Sequence, residues 1–151
     1  MGARYKQHKA SVAHDPNDPV LFKQLSSELA ELMSKFLTEN HGFAAFGGGI
    51  TTTGEIVYLA NGDEGADPQE ELQRLAKELA SPKWQTGIIF VDTRVTPPGE
   101  GAKSDAVWMI SESRTGFVSH DFLPYAIKDG SVVYGKSFKL PNPRPLIYVR
   151  R

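Results

Sequence analysis

The side chains in this sequence best suited to move protons or hold metal at neutral pH are four histidines, His8, His14, His41 and His120. No two stand four residues apart, the spacing that brings two imidazoles to one side of a helix, so no metal site is expected. Cysteine is absent, which removes thiolate ligation, disulfides and a cysteine nucleophile together. His120 precedes Asp121 in a segment of strand-forming residues, where neighbours point to opposite faces, so the acid cannot orient the imidazole directly. The arrangement that would give such groups work is a pocket between the first helix and the sheet, lined by His41, Asp92, His120 and Tyr125. No coenzyme motif accompanies them. No cofactor is expected, and the reading leans away from catalysis.

Gly47-Gly48-Gly49 could in principle cradle an anion with its unhindered amides. Phosphate loops, however, place their glycines between a strand and a helix N-terminus, whereas here Ile50-Thr51-Thr52-Thr53-Gly54 continues as strand and turn. A bulge, or a helix packed closely over a strand without side chains, is the better reading. The alternating Asn61, Asp63, Gly65 and Asp67 resemble a calcium loop only superficially: Ala66 and Leu72 stand where the turn glycine and the bidentate glutamate belong. Asp92-Thr93-Arg94 and Ser111-Glu112-Ser113-Arg114 put acids and arginines at the ends of neighbouring expected strands, where cross-strand ion pairing is the simplest role.

Charge is nearly balanced overall, with 17 basic against 18 acidic residues, but both ends are basic and the stretch from Asn61 to Ala80 is acidic. Near the C-terminus, Tyr134, Lys136, Phe138, Lys139, Arg144, Tyr148, Arg150 and Arg151 interleave aromatics with cations, as single-stranded nucleic-acid surfaces do. Strand alternation gives the same pattern, and the balanced total charge makes nucleic acid an unlikely partner. Pro141-Asn142-Pro143-Arg144-Pro145 cannot enter a sheet interior. It leads Leu146 to Val149 along an edge, either of the chain's own sheet or of a second copy.

The elements that must carry these residues follow from periodicity. Residues 1–16 show no period and are expected as a flexible tail, leaving residues 17–151 as one domain. Asp18 and Pro19 start a helix to about Glu39, with Leu21, Leu25, Leu29, Leu32 and Phe36 on one side, and Asn40 and Gly42 supply its stop. A hairpin follows between Phe43 and Ala60. Asp67 and Pro68 start a second helix that buries Leu72, Leu75, Ala76 and Leu79 and ends at Ser81-Pro82. Strands are expected near 86–95, 105–112, 116–123 and 131–138, with a last one at 146–149 and an exposed loop at 96–104.

This order does not alternate strand with helix. The expected fold is α+β, a mainly antiparallel sheet of about five to seven strands with both helices on one face, a two-layer sandwich. No apolar run approaches the ~20 residues of a membrane-spanning helix, and the N-terminus lacks a secretory pattern, so a cytoplasmic protein of bacterial type is expected. The function expected is binding: an adaptor or immunity-like module meeting another protein or a second copy of itself, with Trp84, Phe138, Leu146 and Tyr148 at the interface. The alternative is a small-molecule binder or enzyme using the His41, Asp92, His120 and Tyr125 pocket.

Overall fold

The computed structural model describes residues 4–8, 15–60 and 67–149. The acidic loop with the calcium-like spacing lies outside them, apart from its last residue, Asp67.

The elements run β1 (Arg4–His8), α1 (Pro19–Asn40), β2 (Phe46–Thr51), β3 (Ile56–Ala60), α2 (Pro68–Leu79), β4 (Trp84–Val95), β5 (Ser104–Ser113), β6 (Val118–Lys128), β7 (Ser131–Tyr134) and β8 (Phe138–Lys139). Both helices begin as their sequences dictate. Asp18 accepts from the Val20 N–H and Asp67 from the Gln69 N–H, each with proline in the first turn where a missing donor costs nothing. The stop of α1 differs from expectation by one residue. His41, not Asn40 or Gly42, takes the left-handed conformation (φ 59°), while Gly42 is used for close approach: a Cβ there would meet Asp92 Oδ2 at 3.0 Å. Glu71 of α2, though charged, is buried and pairs with Arg74.

All strand pairings are antiparallel, in the order β1-β3-β2-β4-β5-β6-β7, with β8 also pairing β6. The α+β class and the antiparallel sheet are therefore as read from sequence. Two segments are not. Part of the stretch expected as a tail forms the edge strand β1, and residues 146–149 form no strand.

The helices also do not share one face. Alternate residues of the sheet feed two separate cores. Phe46, Ile50, Ile56, Ile88, Phe90 and Val107 pack with Leu21, Leu25, Leu29, Met33 and Leu37 of α1. Val57, Leu59, Ile89, Val91 and Ile110 pack with Leu72, Leu75 and Leu79 of α2 and with Ile147. The expected two-layer arrangement is corrected to one helix on each side of the sheet. The physical reason lies in β4: Ile88-Ile89-Phe90-Val91 is apolar at consecutive positions, which a strand tolerates only when both its faces are covered.

The glycine run sits where both helices cross β2. A Cβ on Gly48 would meet Leu25 Cδ1 of α1 at 2.9 Å, and one on Gly49 would meet Trp84 Cε3 at 2.5 Å and Leu79 Cδ2 of α2 at 2.8 Å. Side chains at these positions would push the helices off the sheet, which accounts for the glycines without any ligand.

Candidate functional site

Each face of the sheet carries an acid that ties down a neighbouring segment, and the two are satisfied differently. On the α1 side, β4 and β6 bring Asp92 and Tyr125 together: the phenol donates to Asp92 Oδ1 at 2.6 Å, and the Phe43 N–H makes a long contact with Oδ2 at 3.4 Å. Burial pushes the Asp92 carboxyl above its ordinary value, opposed by these two hydrogen bonds. Burial and the neighbouring carboxylate likewise push the Tyr125 phenol upward, so it stays a donor. The pair ties the chain just after α1 to the sheet.

On the α2 side stands Glu112 of β5, wholly buried at 0 % exposure. Its Oε2 accepts from the Leu146 N–H at 2.7 Å, and its Oε1 from the Ile147 and Tyr148 N–H groups at 3.0 Å each. Residues 141–149 form a strap over this face rather than an edge strand, pinned by that carboxylate and by Ile147 in the core. A strap without regular structure cannot satisfy its own backbone, and a buried carboxylate offers enough lone pairs to take three donors.

His120 of β6 lies beside it, 3 % exposed, with Nε2 3.9 Å from Glu112 Oε2. That is beyond hydrogen-bond length. Neither ring nitrogen has a hydrogen-bond partner among the described residues, and the same holds for Trp108 Nε1 and Tyr148 Oη on this side of the sheet. Burial pulls the His120 pKa down, with Glu112 opposing, so the ring is held neutral. The Trp108 ring meets it edge to face at 5.7 Å. His120 and Asp121 do point to opposite faces, Asp121 pairing with Lys139 at 2.8 Å.

Of the four residues expected to line one pocket, the structure thus joins Asp92 to Tyr125, leaves His41 exposed at the end of α1 and puts His120 on the other side of the sheet. The space between α1 and the sheet is filled by the leucines and phenylalanines of the first core. Among the expected interface residues, Trp84 is corrected to core: it is fully buried and donates to Glu78 Oε2 at 2.9 Å. Phe138 is half-buried in a stack with Phe122 and Trp108, Leu146 is exposed, and Tyr148 lies under Arg114 with its hydroxyl enclosed.

The acids and arginines expected to pair across strands do not pair with one another; Arg94 instead stands 3.7 Å from Asp105 of β5, both exposed. Glu112 and Arg114 have other tasks. Arg114 donates from Nε to the Trp84 carbonyl at 2.6 Å and from Nη2 to the Ala80 and Ser81 carbonyls at 2.9 and 2.8 Å, closing the C-terminal end of α2. Its guanidinium lies 4.6 Å from the Tyr148 ring centre. A signal for Glu112 was present in the sequence: it continues the phase of Trp108 and Ile110, so a strand that buries them buries it too.

Two open grooves lie at opposite ends of the β5–β6 pair. One, about 640 Å³, runs between the 97–104 loop and residues Tyr134 to Phe138, with Pro124, Tyr125 and Lys136 among its walls. The other, about 770 Å³, is bounded by Ser113, Arg114 and Val118 on one side and by Arg144, Pro145 and Tyr148 of the strap on the other. The basic aromatic region of the C-terminus is thereby divided between two sites.

Among the described residues no group of acids and histidines is placed to hold a metal ion, and no helix is long and apolar enough to cross a membrane. Comparison of the chain with protein-family models, with curated proteins and with solved structures finds no match in any of the three.

Proposed function

We propose that this protein is a non-catalytic binding module whose partner is a second copy of the same chain, joined through the β7 edge. One observation carries the reading. The last strand of the sheet, Ser-Val-Val-Tyr, contains no charge or proline to blunt it, and its outer side has no strand partner among the described residues. Val133 on this strand is 46 % exposed and Leu140 beyond it 41 %. A twofold axis beside β7 would pair it antiparallel with its copy and cover both residues. The 640 Å³ groove along the same edge gathers the 97–104 loop, Tyr134 and Phe138, giving the partner a concave seat with aromatic and proline walls.

Light scattering coupled to size exclusion tests this. The wild-type chain is expected to run as a dimer at micromolar concentration, and the double substitution Val133→Lys with Leu140→Lys as a monomer with unchanged circular dichroism. A wild-type chain that stays monomeric at high micromolar concentration would overturn the proposal.

A further inference from the structure

We propose that the groove between the β5–β6 turn and the C-terminal strap is a binding site for a phosphate ester of about nucleotide size. The site lies at the opposite end of the β5–β6 pair from the β7 groove and does not depend on self-association.

Three features of the groove support an anionic ligand. First, its two cationic walls, Arg114 and Arg144, face no carboxylate within ion-pair distance among the described residues. Arg114 spends Nε and Nη2 on three neutral carbonyls, which fixes the guanidinium without cancelling its charge. Among the described residues neither Nη1 proton has an acceptor. A guanidinium held this way keeps its Nη1–H donors for an oxyanion and presents them at little entropic cost.

Second, the opposite wall is held in place by the rest of the fold. Arg144 stands between Pro143 and Pro145, which restrict the backbone, and the next three residues are pinned by the Glu112 carboxylate through their N–H groups. Arg144 itself makes no hydrogen bond or ion pair to the described residues and is exposed. Two arginines facing one groove from elements that are independently anchored suit a doubly charged group better than a single carboxylate.

Third, the groove has room for more than a phosphate ion. At about 770 Å³ the groove is far larger than a phosphate ion and within the range of pockets that hold ligands of drug or nucleotide size. A ligand with a body beside its charged group fits this space better than the bare ion.

The test is a titration of the ¹⁵N-labelled full-length chain with AMP at low ionic strength, followed by amide and arginine Nε shifts, with adenosine and inorganic phosphate as separate arms. AMP is expected to give saturable shifts confined to residues 113–118 and 144–149, weakening as salt is added. Phosphate is expected to shift the same residues more weakly, and adenosine to leave them unmoved. Arg144→Ala should weaken AMP binding at least tenfold, and Arg144→Lys less. Lys136→Ala, in the other groove, should leave it unchanged. Because Arg144 is exposed and unpaired, its variants are expected to fold as the wild type does. The proposal is overturned by adenosine binding as tightly as AMP, by unchanged affinity in Arg144→Ala, by shifts spread over all surface cations, or by no saturable shift.

Discussion

The two faces of this sheet solve the same problem with different materials. On one, α1 supplies 22 residues of regular helix, whose backbone groups satisfy one another, so the cover needs only an apolar stripe. Polar chemistry is pushed to its rim, where Asp92 and Tyr125 tie down the chain leaving the helix. On the other face α2 is only 12 residues long, and the remaining area is covered by the strap at 141–149. That strap brings unpaired N–H groups onto a dry surface, and Glu112 is the device that takes three of them. The lesson is that a buried acid on a sheet face can be there to hold backbone, and catalysis need not be invoked for it.

The comparison can be broken most directly at Glu112. Glu112→Ala leaves three strap donors without their acceptor, that of Ile147 buried, and is expected to cost roughly 3–5 kcal/mol in denaturant unfolding. Asp92→Ala, at a rim site with one strong hydrogen bond, should cost less, about 1–3 kcal/mol. Equal losses would mean that the strap finds water as readily as it finds the carboxylate, and the contrast between the faces would collapse.

Gly49→Ala tests how closely the α2 cover presses on β2. Its methyl group has Trp84, Leu79 and the Thr86 carbonyl within 3 Å, so overpacking of about 1–3 kcal/mol is expected in the same assay. Tyr125→Phe removes a single hydrogen bond from Asp92 and should cost about 1 kcal/mol.

A subtler test sharpens the contrast through pH. His120 is held neutral in the folded chain, whereas the unfolded chain takes up its proton near the ordinary imidazole value. Lowering pH through that range therefore favours unfolding, and the loss continues until the depressed folded-state pKa is reached. The wild-type chain should lose more stability than His120→Gln between about pH 7.5 and about pH 5.5, measured by denaturant midpoints. An identical pH response in both would show that the ring is hydrated. The smallest effect is expected outside both cores: Arg94→Ala breaks an exposed pair and should change stability by less than about 0.5 kcal/mol.

Much of the fold was legible because its signals are local. Asp18-Pro19 and Asp67-Pro68 satisfy or remove donors within their own helical turn, and α1 and α2 start where those residues stand. The turns at Ser113 to Gly116 and Lys128 to Gly130 likewise bend the chain where left-handed residues permit it, Gly116, Asp129 and Gly130 all having positive φ. The candidate site was legible only in part. Asp92 and Tyr125, expected in one pocket, do meet, but His120 lies on the other side of the sheet, because no spacing rule states which face of a strand a given helix will cover.

The two helices, the strands from β2 to β7 and the alternation of buried residues were thus determined by the sequence itself, since each depends on groups a few residues apart. Gly47 to Gly49 and the apolar run in β4 also carry the requirement that both faces be covered. Which helix takes which face, that residues 146–148 lie over Glu112, and that Arg114 meets Arg144 across a groove were decided only by the tertiary structure. Those contacts join segments 30 or so residues apart, and their energies arise from burial and from backbone donors that must be satisfied once the strap is laid down.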